Sequence, residues 1–151
     1  MKAKKIEAIG DLLKIMSTHS TLRSALVANK LQINTTDLEC LEILMRLGKT
    51  TAGVLSAETK LTTGAVTKMI DRLEKAGFVK RHFEKSDRRK VFIELEMEAV
   101  SKKVLPLYIP LGVEIANHLN NYSESQLTLI MDFLSSSIKI SEVDLQKLSE
   151  S

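Results

Sequence analysis

The chain has 151 residues, 44% apolar and 27% charged, with a formal net charge of +3. That is the size and balance of one ordinary globular domain, or one core with an added assembly element; it excludes bulk disorder, a collagen-like repeat and a disulfide scaffold. A single cysteine, Cys40, allows no internal disulfide and points to a reducing compartment, and no run of 18 apolar residues reads as a membrane span.

Residues 5–29 predict a long helix, because Ile6, Ile9, Leu12, Leu13, Met16, Leu22, Leu26 and Val27 recur at three- and four-residue steps. Gly10 and the Ser17–Thr21 stretch weaken its middle. Its basic start, Met1 to Lys5, is followed by Glu7, Asp11 and Lys14, so it lacks the unbroken apolar stretch of a signal peptide, and a cytoplasmic protein is expected. Thr36-Asp37-Leu38-Glu39 has the form of a capping box and predicts the start of a second helix, with Leu41, Leu44 and Met45 inside it and Gly48 at its end. A short third helix is predicted over 52–60. A fourth spans 63–76, with Thr62 as N-cap, Val66, Met69, Ile70 and Leu73 as its apolar stripe, and Gly77 as its stop.

The period then changes. Phe78, Val79 and Phe83, and after them Val91, Ile93 and Leu95, predict two strands over 78–83 and 90–96, with a charged tip at 84–89 between them. Helical spacing returns over 97–121, with a kink or break expected at Pro106 and Pro110. Ser123-Glu124-Ser125-Gln126 is a second capping box, opening a last helix to about 140 whose tail either continues or frays. The order α-α-α-α-β-β-α-α is mainly helical. Its middle, residues 36–96, reads as a winged helix-turn-helix. The flanks, 1–35 and 97–151, are long amphipathic helices with nothing in that core to bury them, and a second copy of the chain is the simplest cover.

The small net charge hides an uneven distribution. Between Thr62 and Phe92 lie nine basic and four acidic residues, a local +5 that leaves −2 on the rest. A basic block on a slightly acidic chain is a candidate phosphate-binding surface, although a solvated helix face and hairpin carry similar charge. The predicted fourth helix exposes Thr63, Gly64, Thr67 and Lys68, with Arg72 and Lys75 further along. Such a helix fits the major groove of DNA, where Thr67 can meet a base, a thymine methyl or a phosphate, and Lys68 can reach guanine acceptors. Thr62 stands at the helix start, where free amides attract phosphate. On the tip, Lys85, Asp87, Arg88 and Arg89 put guanidiniums on a protruding ribbon. An arginine there suits a narrow minor groove, and Asp87 can orient it through a bidentate pair.

The run from Leu61 to Arg81, containing Asp71-Arg72-Leu73-Glu74-Lys75-Ala76-Gly77, together with Asp87-Arg88-Arg89, resembles the MarR family of bacterial transcriptional regulators. The resemblance is dense over residues 36–96 and weaker on the flanks. It implies a homodimer built by the first and last two helices, and a pseudo-palindromic double-stranded DNA operator. It implies a recognition helix, 63–76, that reads the major groove with Thr63, Gly64, Thr67 and Lys68, and a wing, 84–90, whose Arg88 or Arg89 enters the minor groove beside Asp87. It further implies a nucleoid-associated repressor of nearby genes, released by a small amphipathic ligand bound between the dimer helices and the DNA-binding lobe. After the wing the chain departs from the family's usual Leu-Thr-x-x-Gly: Leu95 is followed by Glu96-Met97-Glu98-Ala99, so a different start of the fifth helix is expected.

Other chemistries find less support. Cys40 has no basic residue within four positions and is flanked by Glu39 and Glu42, which suits a buried structural thiol rather than a redox sensor. His19, His82 and His118 show no metal-ligand spacing. No phosphate loop, nucleophile elbow or catalytic triad stands out, so neither an enzyme nor a bound cofactor is expected. Tyr108, Tyr122, Phe133 and the methionines are of the types that line ligand pockets, but core packing is their commoner use. A winged helix used only for protein assembly remains the rival reading; a neutral outer face on 63–76 and an acidic wing would have favoured it.

Overall fold

The computed structural model describes residues 1–83 and 91–150. The chain divides into two compact units, Met1–Val104 and Leu105–Ser151. No helix among the described residues is long and apolar enough to cross a membrane.

The first unit opens with α1, Lys2–Leu31. Neither Gly10 nor the Ser17–Thr21 stretch interrupts it. The hydroxyls of Thr18 and Thr21 donate back to the carbonyls of Lys14 and Ser17, so their polar groups are satisfied inside the helix. Gln32 takes a left-handed conformation (φ 56°), and the Ile33 amide donates to the Ala28 carbonyl to close the end. Helix α2 spans Thr35–Leu47. Its cap differs from the sequence expectation: Asn34, not Thr36, is the N-cap, and its side chain accepts from the Asp37 amide at 2.8 Å. Asn accepts at this position as well as Thr does, and capping two positions earlier makes Asp37 the third helical residue, whose amide takes the cap bond. Gly48 (φ 74°) ends α2 as expected.

Strand β1, Thr50–Thr51, is an addition to the predicted order. Two residues are too short to show a period in sequence. Thr51 then caps α3, Ala52–Thr59, accepting from the Val54 amide at 3.3 Å. Helix α4, Thr63–Lys75, begins at the predicted cap: Thr62 Oγ1 accepts from the Ala65 amide at 3.3 Å. It ends where Gly77 adopts φ 79° and the Phe78 amide reaches the Leu73 carbonyl at 3.0 Å. That turn aims the chain into β2, Val79–Phe83, which pairs antiparallel with β3, Val91–Leu95, through Val79↔Leu95, Arg81↔Ile93 and Phe83↔Val91. Strand β1 adds to the other edge of β3, so the predicted hairpin is a three-stranded sheet of order β1-β3-β2.

The core of this unit lies where α2, α3, α4 and the sheet converge. Leu38, Leu41, Leu44, Leu55, Val66, Met69, Leu73 and Ile93 are all at most 1% exposed, and each such side chain contributes about 1.5–3 kcal/mol by leaving water. The predicted apolar stripe of α4 is this buried face.

After β3 the chain enters α5, Met97–Ala99, whose N-cap Glu96 makes no side-chain cap bond. A π-helical turn, Val100–Val104, follows and buries Val100 and Val104. It ends two residues before Pro106, which has no amide to donate; the helix widens at this point but does not break at either proline.

The second unit holds α6, Leu105–Leu119, which continues through Pro110, and α7, Glu124–Glu150. The second capping box forms: the Ser123 amide donates to Gln126 Oε1 at 2.8 Å, and the Gln126 amide donates to Ser123 Oγ at 3.4 Å. The tail continues the helix rather than fraying. No described residue of this unit is buried. Ile109, Leu111, Val113 and Ile115 of α6 and Leu129, Met131, Ile138 and Ile140 of α7 are each at least 45% exposed.

Candidate nucleic-acid interface

Helix α4 rests its Val66, Met69, Ile70 and Leu73 on the core, so the remaining positions point away from it. Thr62, Thr63, Gly64, Thr67 and Lys68 are all exposed, and four of them, 63, 64, 67 and 68, share one face by helical spacing. A Cβ built on Gly64 would meet nothing within 4 Å, so the chain's own packing does not require glycine there. Thr67 Oγ1 donates to the Thr63 carbonyl at 3.0 Å, which occupies its hydrogen and leaves its oxygen lone pairs and methyl facing outward. Lys68 and Lys75 are exposed and form no ion pair with any described residue.

The other three cations of the described part of the basic block are engaged. Arg72, a sequence candidate for DNA contact, turns toward α2: its Nε donates to both carboxylate oxygens of Asp37, at 3.0 and 3.2 Å, and its Nη2 donates to Oδ1 at 2.5 Å. The Asp37 side chain is 3% exposed and that of Arg72 47%. These hydrogen bonds to the buried carboxylate push the Arg72 pKa above the usual guanidinium value. Arg81 of β2 bridges Asp71 and Glu74 of α4. Lys80 lies 3.5 and 3.6 Å from Glu94 and Glu96. Among the described residues of the block, the positive excess is therefore largely balanced around its edges, and what remains on α4 is on Lys68 and Lys75. Lys85, Asp87, Arg88 and Arg89 lie outside the described residues.

Asp37 is the residue that sequence reasoning passed over, having used it only as part of a capping pattern. A signal was present. Asp37, Leu41 and Leu44 share one apolar stripe, and a carboxylate on such a stripe needs a buried cationic or hydrogen-bonding partner.

Cys40 is fully buried, and its thiol is pushed up to about 12, first by burial and then by the Asp37 and Glu39 carboxylates. A thiol so placed is not a nucleophile at neutral pH. A cleft of about 320 Å³ opens between α1 and α2, lined by Ser20, Thr21, Ser24, Leu38, Glu39 and Glu42 among others. Among the described residues no three His, Cys, Asp or Glu side chains gather as a metal site.

The family model for the MarR family matches residues 33–91. An uncharacterized HTH-type transcriptional regulator of Bacillus subtilis (strain 168), YcgE, is 36% identical over 140 residues, which cover 93% of this chain and 90% of that one. Two solved structures share the fold. A MarR family protein from Bacillus stearothermophilus is 20% identical, with a TM-score of 0.68 over 94% of this chain and 99% of its own. Streptococcus pneumoniae FabT in complex with DNA is 17% identical, with a TM-score of 0.69 over 91% and 97%.

Proposed function

The chain belongs to the MarR family of winged-helix transcriptional regulators, and from that premise we propose that it is a dimeric repressor that reads a pseudo-palindromic operator. The observation that carries the reading is the outward face of α4. Thr63, Gly64, Thr67 and Lys68 stand together, exposed, at the start of a helix whose opposite side is locked into the core. That arrangement suits insertion in the major groove, where the first turns of a helix meet base edges and phosphates. The wing, 84–90, supplies Arg88 or Arg89 to the minor groove with Asp87 beside it, and Lys85 to a phosphate. Thr62 Oγ1 caps the Ala65 amide, and the Thr63 and Gly64 amides ahead of it, which have no intrahelical partner, suit a phosphate.

Residues 36–96 are the DNA-binding lobe in this reading, and 1–35 and 97–151 build the dimer. Two features support the dimer. None of the second unit's described residues is buried, and α1 exposes Ile6, Leu12, Ile15, Met16, Leu22 and Leu26, each at least half accessible. Apolar faces of that extent gain stability only when covered. A small ligand releases the repressor by binding more tightly to a spacing of the two lobes that does not fit the operator; equal affinity for both spacings would shift nothing. The α1–α2 cleft is of ligand size.

The test is duplex selection from random DNA, followed by titration at several salt concentrations. A selected site with two half-sites about one helical turn apart is expected. Log affinity should fall steeply with log salt, and Arg89→Ala should weaken binding and flatten that slope by about one phosphate contact. Salt-insensitive behaviour, with no duplex enriched, would reduce the chain to an assembly module.

A further inference from the structure

The geometry points to Asp37 as a positioning residue for DNA recognition, acting through Arg72 to set the orientation of α4; this rests on the reading of α4 as the recognition helix. Asp37 sits in the first turn of α2, where its own amide is fixed by the Asn34 side chain at 2.8 Å. Its carboxylate is buried and takes three hydrogen bonds from one guanidinium, two from Nε and one from Nη2. A planar guanidinium held by several bonds to one carboxylate is fixed in direction as well as distance, which a single lysine contact is not. Arg72 lies one turn beyond Lys68 on α4, and the packing of α4 against the core through Val66, Met69, Ile70 and Leu73 is apolar and therefore non-directional. Hydrophobic contact keeps α4 against α2; the Asp37–Arg72 pair determines its roll and tilt. A base-reading constellation tolerates about 0.5 Å and 10–20° of error, so a small rotation here displaces Thr63, Thr67 and Lys68 from base edges while leaving the helix near the phosphates.

This assignment removes Arg72 from direct phosphate contact, and the two roles separate experimentally. The probes are the duplex selected by the wild-type full chain and a random duplex of equal length, each titrated over a range of salt. The variants are Asp37→Asn, Arg72→Lys and the double variant. Positioning predicts that each single variant loses operator affinity about tenfold, the discrimination of roughly one good base contact, while random-duplex affinity and salt slope stay at wild type. The double variant should lose little more than either single one, because both break the same pair. Arg72→Lys preserves charge and exposes no new apolar surface, so it carries the test even if Asp37→Asn fails to fold. The proposal is overturned if the Arg72 variant loses operator and random duplex in parallel with a salt slope lower by about one, the mark of a lost phosphate contact. It is equally overturned if both variants bind the operator as wild type does. If the wild-type chain itself selects no duplex, the DNA-binding reading falls first, and the positioning role with it.

Discussion

Arg81 on β2 donates from Nη2 to Asp71 Oδ1 on α4 at 2.6 Å, and its Nη1 pairs with Glu74 one turn away. The backbone amide of Arg81 adds a bond to Glu74 Oε1 at 3.3 Å. Asp71 falls on the outward side of α4, between Thr67 and Lys75 by helical spacing, where a bare carboxylate would repel a phosphate. One guanidinium thus ties β2 to α4 and neutralises the acids on the outer side of α4. The hydrogen bond to Asp71 is also the main reason that the Arg81 pKa is raised.

Arg81→Ala should therefore weaken duplex binding more than the loss of one distant cation would. Stability should fall by no more than about 1 kcal/mol, because the Asp71 and Glu74 side chains are 58% and 40% exposed and such pairs are screened by water. The binding defect should be largest at low salt and shrink as salt rises. Adding Asp71→Asn and Glu74→Gln to Arg81→Ala should restore most of the affinity. Mobility shifts on the selected duplex at several salt concentrations check this; a triple variant as weak as Arg81→Ala would show that the charge balance is not the cause.

The buried thiol of Cys40 gives a prediction about pH. Its folded-state pKa is pushed up to about 12, while in the unfolded chain it titrates near the ordinary thiol value of about 8.5. Below that value the thiol is protonated in both states and costs nothing. As pH rises past it, the unfolded chain releases a proton that the folded chain retains, so stability falls until pH reaches about 12. Alkylation by iodoacetamide at pH 8 should be slow in the native protein and fast in denaturant, and Cys40→Ala should flatten the alkaline loss of stability. Rapid native-state alkylation at pH 8 would mean that Cys40 is reachable and not the inert thiol that its burial indicates.

Most of the framework was legible because it depends on local signals. Thr62, Ser123, Gly48 and Gly77 mark helix ends by side-chain or left-handed geometry that only a few residue types supply, and all four stand where expected. The stripe Val66, Met69, Ile70 and Leu73 is periodic and faces the core. What escaped was non-local or ambiguous. Strand β1 exists because β3 offers a free edge, which Thr50-Thr51 alone cannot announce. Asn34 and Thr36 are both good caps two positions apart, and Asn34 takes the role. Above all, a guanidinium on α4 looks the same in sequence whether it faces a phosphate or Asp37, 35 residues earlier. Charge counts place a basic block; they do not say which of its members are already engaged.

The exposed faces of α7 make dimerisation testable. Leu129, Phe133, Ile140 and Val143 recur along one side of the helix, while Leu134, Ile138, Leu145 and Leu148 line the opposite side. Two opposed apolar faces exceed what one neighbouring helix can cover. Ile140 is 71% exposed within the chain. Ile140→Glu should leave the helicity and melting of the first unit near wild type, halve the mass measured by sedimentation at micromolar concentration, and weaken operator binding, since two half-sites must then be filled separately. A variant that still sediments as a dimer would place the contact elsewhere on α7 or on α1.

Gly64 separates binding from stability most directly. It lies in the first turn of α4, with φ in the ordinary negative range and open space where a Cβ would stand. Nothing in the fold therefore penalises alanine, and replacing glycine in a helix stabilises by about 0.5–1 kcal/mol in the interior and less in a first turn. If DNA backbone or a base edge approaches the α4 main chain at this point, the added methyl occupies the space that the duplex needs. Gly64→Ala should then melt at or above the wild-type temperature and yet bind the selected operator at least several-fold more weakly. Thermal melting and mobility shifts on the same preparation decide it. Equal or tighter operator binding by a stabilised Gly64→Ala would move the close approach away from the first turn of α4 and leave Thr67 and Lys68, one turn further on, as the principal readers.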